Sequence, residues 1–192
     1  MVAPDTAVLI PVKAFTEAKA RLAPALDADE RAALAESMAT TVLRAASPLR
    51  VWVVCDDEAV ADWATNSGAD VLWKPGRGLN GAVAEGVTDL ARNGIARVIV
   101  VHADLPHARD LTHLTARDGI TLVPDRRGDG TNVIVLPTDS RFEFSYGPGS
   151  FSRHVDEAHR RCELVHIEHD ERLGWDVDVP ADLVTPQWCT TG

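Results

Sequence analysis

The chain has 192 residues, of which 45% are hydrophobic, and this predicts one well-packed domain spanning residues 1–192. Its formal net charge of −10 opposes binding to the phosphate backbone of a nucleic acid. No stretch approaches the run of about eighteen apolar residues that crosses a membrane, and the amino end lacks a signal-peptide pattern, so we expect a cytoplasmic protein without membrane or nucleic-acid partners.

Strands and helices alternate through the first two thirds of the chain. Short, bounded apolar runs predict five strands, at 7–12, 50–55, 69–74, 98–104 and 120–125. Asp27 and Glu30 form a capping-box pattern before a helix, and a second helix ends at Gly68. A third helix is predicted from a cap at Asn80 to a stop at Gly94, and a short helix lies near 110–117.

The pattern changes after Asp125. Residues 131–137 and 141–146 predict two strands that pair in antiparallel fashion, and a helix follows a cap at Ser150. Residues 163–168 predict another short strand, and Pro180 begins a last short helix. The whole order predicts an α/β fold with a mainly parallel sheet, covered on both faces, and a small antiparallel part.

Basic residues follow the first predicted strand. Lys13, Lys19 and Arg21 fall in one long loop, and the chain contains just one other lysine. Long loops in compact domains are usually functional or disordered, and this one begins at the carboxyl end of a strand, where α/β proteins bind ligands. The concentration of charge suits a small phosphorylated ligand, although solvated loop charges are the alternative.

Three aspartates form a candidate metal site. Asp104 stands at the end of the predicted strand that contains four β-branched residues in succession, 98–101. Asp176 and Asp178 lie two residues apart, so in extended chain both carboxylates point the same way. Oxygen ligands of this kind suit Mg²⁺, which prefers carboxylates together with substrate phosphates. An exposed acidic turn remains the alternative, because the chain has 29 acidic residues to place.

Two further turns and one glycine pattern bear on ligand binding. The residues from Gly147 to Ser150 precede a helix, as an anion-binding turn would, and 125–132 form a polar turn beside a predicted strand. Gly76, Gly78 and Gly81 fit GxGxxG, so a non-catalytic dinucleotide- or nucleotide-binding domain is an alternative reading. The three cysteines have no CxxC spacing, which indicates neither a disulfide framework nor a zinc site.

Several motifs in this order resemble the CofC/FbiD family of guanylyltransferases, and the likeness runs from about Leu9 to Leu183. The motifs are IPVK, AKARL, GLNGA, ADLP, PDRRGDGTN, YGPGSFSRH and DVDVPADL. The resemblance implies a Rossmann-like three-layer sandwich of the nucleotide-diphospho-sugar transferase type. It also implies a Mg²⁺-dependent transfer of guanylate from GTP to phosphoenolpyruvate, in biosynthesis of a deazaflavin coenzyme. The acceptor in this reading could instead be 2-phospho-L-lactate or 3-phosphoglycerate, and the enzyme that accepts the product is a possible partner.

The resemblance also implies roles for individual residues. It places the metal on Asp104, Asp176 and Asp178, and the small phosphorylated acid on Thr131, Gly147 and Ser150. It places Lys13, Lys19 and Arg21 on the nucleotide phosphates, and Leu79, Asn80 and Gly81 near the guanosine. This sequence departs from the family at Ala20, where serine is common, and at His102, where an apolar residue is usual.

Overall fold

A computed structural model of the chain describes residues 5–162 and 164–184. Seven strands lie within these residues: β1 (Thr6–Pro11), β2 (Arg50–Cys55), β3 (Asp70–Trp73), β4 (Arg97–Val101), β5 (Ile120–Pro124), β6 (Thr131–Pro137) and β7 (Val165–Ile167). The α-helices of this part of the chain are α1 (Ala28–Ala45), α2 (Glu58–Asn66), α3 (Gly78–Arg92) and α4 (Ser150–Arg161). Short 3₁₀ turns cover Phe15–Glu17, Ala20–Leu22, Thr112–Ala116 and Pro180–Leu183.

The strands form a single sheet in the order β3-β2-β1-β4-β6-β5-β7. All neighbouring pairs are parallel except those of β6, which runs antiparallel to both β4 and β5. The expected mainly parallel sheet with a small antiparallel part is therefore confirmed. The chain leaves β1 toward β2 on one side and returns to β4 on the other, so a topological switch point lies between β1 and β4.

Helices cover both faces of the sheet, which gives three layers. Successive residues of β1 point to opposite faces, so Val8 and Ile10 pack with α1 and α2, while Ala7 and Leu9 pack with α3 and α4. Because both faces are covered, β1 and β4 consist almost entirely of buried apolar residues, as a doubly covered strand requires.

Local signals fix several helix ends. The capping box before α1 is present: the Glu30 amide donates to the Asp27 carboxylate over 2.9 Å, and the Asp27 amide donates to Glu30 over 2.8 Å. Two predicted caps are wrong. Helix α3 starts at Gly78, so Asn80 lies inside it, and α4 has Gly149 as its N-cap in the left-handed region, so Ser150 is its first residue.

The predicted strand at 141–146 is also wrong. Alternate apolar residues suggest a strand there, but β6 already pairs on both sides, and its two neighbours leave no edge for this segment. Its amides instead bond to side chains of helices. The Glu143 amide donates to Glu157 over 3.0 Å, and the Ser145 amide to His154 over 2.9 Å. The segment therefore crosses α4 as an extended strap.

The remaining features are a short turn, a short strand and the cysteines. Residues 112–116 form a 3₁₀ turn where a short helix is expected, and the strand expected at 163–168 is three residues long, with Glu163 outside the described residues. Cys55 and Cys162 are free thiols, and Cys189 lies outside the described part. Among the described residues, no helix is long and apolar enough to cross a membrane.

Candidate active site

A cleft of about 400 Å³ opens at the carboxyl ends of β1 and β4, at the switch point of the sheet. Ligands of open α/β sheets bind at this position. Its lining includes five of the residues that the sequence assigns to the site: Lys13, Lys19, Leu79, Asp104 and Asp178. The first βα loop, the end of β4, the start of α3 and the chain after β7 thus contribute to one cavity.

Lys19 connects two of the predicted acids. Its Nζ lies 2.6 Å from Oδ2 of Asp104 and 3.1 Å from Oδ1 of Asp178, and its backbone is in the left-handed region with φ 56°. Burial disfavours the ammonium, but the two carboxylates outweigh burial and raise the pKa of Lys19. Lys19 therefore carries a full positive charge in the floor of the cleft.

Asp104 follows β4 and has an oxygen without a partner. Its Oδ2 accepts from Lys19, while its Oδ1 is buried and has no hydrogen bond. Burial disfavours the charged carboxylate, but Lys19 and His102 lower its pKa below the ordinary value, so Asp104 is ionised. A buried, charged oxygen without a donor is costly, which points to a cation or donor that a ligand would bring.

Asp176 is a second acid of this kind. Its side chain is 8% exposed, and its Oδ1 has no hydrogen bond, although the guanidinium nitrogens of Arg126 and Arg127 lie 3.8 Å away. Burial, followed by the charges of Asp104 and Asp178, raises the pKa of Asp176 to about 6. The three predicted acids thus lie close enough to repel one another.

Asp182 organises the loop that carries these acids, and sequence reasoning did not identify it. Its fully buried carboxylate accepts from the amides of Asp178 and Val179 over 2.8 and 2.9 Å. The same carboxylate binds Arg126, and also Arg127 over 2.6 Å. The sequence does carry a signal for this contact. Pro180 begins the 3₁₀ turn, and an acid two residues after the proline can accept a hydrogen bond from the amide of the residue before the proline, which here is Val179.

We call the group of Asp182, Arg126 and Arg127 the Asp182 clamp. The guanidinium of Arg126 stacks 4.0 Å from the centre of the Trp175 ring and donates to the carbonyl of Asp176 over 3.0 Å. The turn after β5 thereby fixes the backbone on both sides of Asp176. The polar turn at 125–132, a weak signal by itself, supplies both arginines.

The residues expected to hold the small acid form a second group beside the cleft. Thr131, at the start of β6, is buried and its hydroxyl lies 3.0 Å from Nδ1 of His154 in α4. Ser150 is buried as the first residue of α4, and Gly147 precedes it with φ 124°. Because β6 is antiparallel, its amino end meets the carboxyl end of β4, and this group lies along the same sheet edge.

The turn before α4 is less open to anions than expected. The Gly149 amide donates to the Asp129 carboxylate over 3.1 Å, and the Phe151 amide donates to the Asp129 carbonyl over 2.9 Å. The Ser150 amide donates to the Gly147 carbonyl over 3.0 Å. Protein acceptors thus occupy three amides of this turn, and contact with an acid must rely more on side chains than the glycine pattern suggests.

The other predicted site residues are dispersed. Arg21 lies exposed in the 3₁₀ turn 20–22 and does not line the cleft, while Lys13 is exposed at its rim. Asn80 faces the strap, since its Oδ1 accepts from the Tyr146 amide over 2.7 Å. Gly81 lies in the first turns of α3, where a Cβ would meet that of Arg77 at 3.3 Å.

The acids fit a divalent cation in donor chemistry. The described residues contain no group of three or more acids, histidines or cysteines in a metal-binding arrangement, and the ammonium of Lys19 lies between Asp104 and Asp178. Even so, Oδ1 of Asp104 and Oδ1 of Asp176 are buried without hydrogen-bond partners. Mg²⁺ commonly binds one or two protein carboxylates and takes its other ligands from phosphates and water, so the residues present suit it.

The raised pKa of Asp176 predicts a stability effect. Because the folded-state pKa of about 6 exceeds the unfolded value of 3.8, the folded protein loses stability as pH rises from about 4 to 6. Asp176→Asn removes this loss and should stabilise the metal-free protein by on the order of 2 kcal/mol at pH 7.5, with little gain at pH 4. Denaturant unfolding in EDTA at both pH values measures it.

Asp139→Asn, which changes an exposed acid, is the control for this effect. It should leave the free energy of unfolding unchanged within about 0.5 kcal/mol at either pH. An Asp176→Asn protein less stable than the wild type at pH 7.5 would show that the arginines, and not the repulsion among the acids, dominate this site.

Comparison with known proteins is consistent with this geometry. A family model described as guanylyl transferase CofC like matches residues 6–185. Phosphoenolpyruvate guanylyltransferases of Sphaerobacter thermophilus and Roseiflexus castenholzii are 36% and 37% identical, over 93% and 94% of this chain and 90% and 87% of theirs. The 2-phospho-L-lactate guanylyltransferase of Methanothermobacter thermautotrophicus is 33% identical, over 93% of this chain and 82% of its own.

Solved structures share the fold. A Desulfovibrio desulfuricans chain described as a nucleotide-diphospho-sugar transferase superposes with a TM-score of 0.76 at 18% identity, covering 93% of this chain and 84% of its own. A nucleotidyl transferase of Methanothermobacter superposes with a TM-score of 0.61 at 12% identity, covering 94% of each chain. The expected nucleotide-diphospho-sugar transferase type of α/β fold is therefore confirmed.

Proposed function

The chain belongs to the CofC-like guanylyltransferase family, and from this premise we propose that it joins GTP to phosphoenolpyruvate, with Mg²⁺, at the cleft between β1 and β4. The products are enolpyruvyl-diphospho-guanosine and pyrophosphate. Family membership as a guanylyltransferase also decides against a non-catalytic dinucleotide-binding domain, despite the GxGxxG pattern at 76–81.

The observation that carries the proposal is the meeting of Lys19, Asp104 and Asp178 in one cleft at the switch point. In this cleft the ammonium of Lys19, together with that of Lys13 at the rim, can face the phosphates of GTP. The residues proposed for the acid, Thr131 and Ser150, lie toward β6 on the same edge of the sheet. Attacking acid and nucleotide phosphates would thus occupy neighbouring positions.

The reaction needs charge compensation more than proton transfer. A phosphate oxygen of the acid forms a bond to the α-phosphorus of GTP, while the bond from that phosphorus to the bridging oxygen of pyrophosphate breaks. A phosphate monoester has a second pKa of about 6 and is anionic at neutral pH, so it attacks without a general base. The barrier comes largely from repulsion between anions, which Lys13 and Lys19 would reduce.

We assign Mg²⁺ to Asp104, Asp176 and Asp178, on the strength of the two unpartnered carboxylate oxygens. The ion would supply further charge compensation for the triphosphate. Asp104 and Asp178 already hold Lys19 in the cleft, and the Asp182 clamp holds the backbone of Asp176 and Asp178. The protein's own role is therefore to keep cations and acids in fixed positions before the substrates bind.

The choice of phosphoenolpyruvate rests on the relatives. Four relatives named for this acid are 36–37% identical to the chain, and four named for 2-phospho-L-lactate are 28–33% identical. Pyrophosphate release from GTP and Mg²⁺ should be fastest with phosphoenolpyruvate, and slower with 2-phospho-L-lactate or 3-phosphoglycerate. Release with none of the three from folded protein would overturn the proposal. The enzyme that consumes the product is the partner we would expect downstream.

Ser150→Ala tests the proposed acid site. Ser150 is buried at the start of α4, so removal of its hydroxyl should weaken contact with the acid and leave the nucleotide site intact. Loss of one hydrogen bond to a charged group predicts about a 10- to 100-fold rise in KM for phosphoenolpyruvate, with KM for GTP nearly unchanged. Steady-state kinetics with each substrate varied in turn measure both, and Ser152→Ala, on the exposed side of α4, is the control.

A further inference from the structure

A narrower recess joins the cleft on the side toward β2. Its apolar walls come from the ends of β1 and β2 and from the first turns of α3, and they include Pro11, Val54, Leu79 and Ala82. Lys13 and Leu79 line both the recess and the cleft, so the two spaces are adjacent. The recess holds about 70 Å³, so a planar ring would lie partly in it, against these apolar walls, with its polar edge outside.

Asp56 is the one carboxylate among the described residues that line this recess, and it stands directly after β2. Its side chain is exposed and has no hydrogen bond or ion pair within the described part of the chain. Lys74, which also lines the recess, is paired with other acids, because its Nζ lies 2.7 Å from Asp89 and 3.6 Å from Glu85. The carboxylate thus remains available to a ligand.

The strand order sets the direction in which a ligand would lie. The recess lies at the ends of β2 and β1, and the cations of the cleft lie at the ends of β1 and β4. The proposed acid site lies at β6 and α4. A nucleotide whose phosphates meet Lys19 and whose α-phosphorus faces the acid must therefore extend its base toward β2. This step rests on the proposed function, since it uses the assigned positions of the phosphates and the acid.

We propose that Asp56 reads the guanine base, by accepting hydrogen bonds from its ring N–H and its exocyclic amino group. A carboxylate is an acceptor with two oxygens, and guanine presents two adjacent donors on this edge. Hypoxanthine lacks the amino group, and adenine presents an acceptor beside its amino group, so both leave the carboxylate poorly matched. The recess, so occupied, selects GTP over ITP and ATP.

Asp56→Asn tests the assignment through a change of preference. The amide keeps one acceptor and gains a donor, so it matches xanthine, which carries a carbonyl where guanine carries the amino group. We expect affinity for GTP to fall about 10- to 100-fold, the preference for GTP over ITP to disappear, and XTP to become the best of the three. Thermal-shift titration of each nucleotide with Mg²⁺ measures affinity without any acid present.

Asp62→Asn on α2 removes the same charge from an exposed position and should behave as the wild type. Equal weakening of GTP, ITP and XTP in Asp56→Asn, or no change, would overturn the assignment of the base. Because binding is measured without the acid, this failure is distinct from that of the proposed function. A wild-type protein that prefers GTP to ITP yet transfers guanylate to no acid would refute the latter alone.

Discussion

Replacement of Asp104 with asparagine should lower the rate of guanylyl transfer by about a thousandfold or more, while the protein remains folded. The change removes the charge of a half-buried carboxylate, its buried and unpartnered oxygen, and one of the two ionic partners of Lys19. Pyrophosphate release at saturating GTP and phosphoenolpyruvate measures the rate, and the far-ultraviolet spectrum and thermal midpoint report the fold.

Asp118→Asn is a suitable control for this prediction. Asp118 is exposed just before β5, at the edge of the sheet opposite to the cleft, because β5 runs parallel to β4. Its replacement should leave the rate within about twofold of the wild type. If Asp104→Asn retained near-normal activity, the assignment of Mg²⁺ to this group of acids would have to be abandoned.

The core of the fold could be predicted from the sequence because its signals are local. The four β-branched residues 98–101 and the capping box at Asp27 lead to the observed β4 and α1. The strap at 141–146 shows where this reasoning ends, because Phe142 and Phe144 alternate as strand residues do. Its backbone partners, Glu157 and His154, belong to a helix that follows it, and periodicity carries no information about such a partner.

The sequence could predict which charged residues lie at the candidate site, but not which of them form ion pairs. Strand ends identify Asp104 as a residue at the ligand edge, and the spacing of Asp176 and Asp178 places them together. The ion pairs of Lys19 depend on the path of a loop, which has no periodic pattern. For the same reason Arg21, though close to Lys19 in sequence, lies outside the lining of the cleft.

Electrostatic compensation links stability and activity at this site. Three acids at one edge repel each other, as the raised pKa of Asp176 indicates, and Lys19 offsets only part of that repulsion. A protein selected for stability alone would not retain two buried carboxylate oxygens without donors. Their presence is explained if phosphates and a divalent cation complete the site, so stability and transfer should change in opposite directions in Asp176→Asn.

The Asp182 clamp predicts the largest combined effect on stability and rate. Asp182→Asn leaves Arg126 and Arg127 without their shared carboxylate, although both arginines are partly exposed, which moderates the loss. We expect a loss of about 2–4 kcal/mol in the free energy of unfolding. We also expect about a 100-fold lower kcat, because displacement of a catalytic group by about 1 Å has effects of this size.

A KM-against-kcat comparison separates positioning from general damage. Asp182 touches no proposed substrate position but binds the amides of Asp178 and Val179, so kcat should fall while KM for GTP changes little. Asp110→Asn is the matched control, because Asp110 also accepts hydrogen bonds in a turn, from the amide and hydroxyl of Thr112 over 2.7 Å. It should lose some stability with kcat unchanged. An Asp182→Asn enzyme with normal kcat at a temperature where it is fully folded would show that Asp176 and Asp178 hold their positions without the clamp.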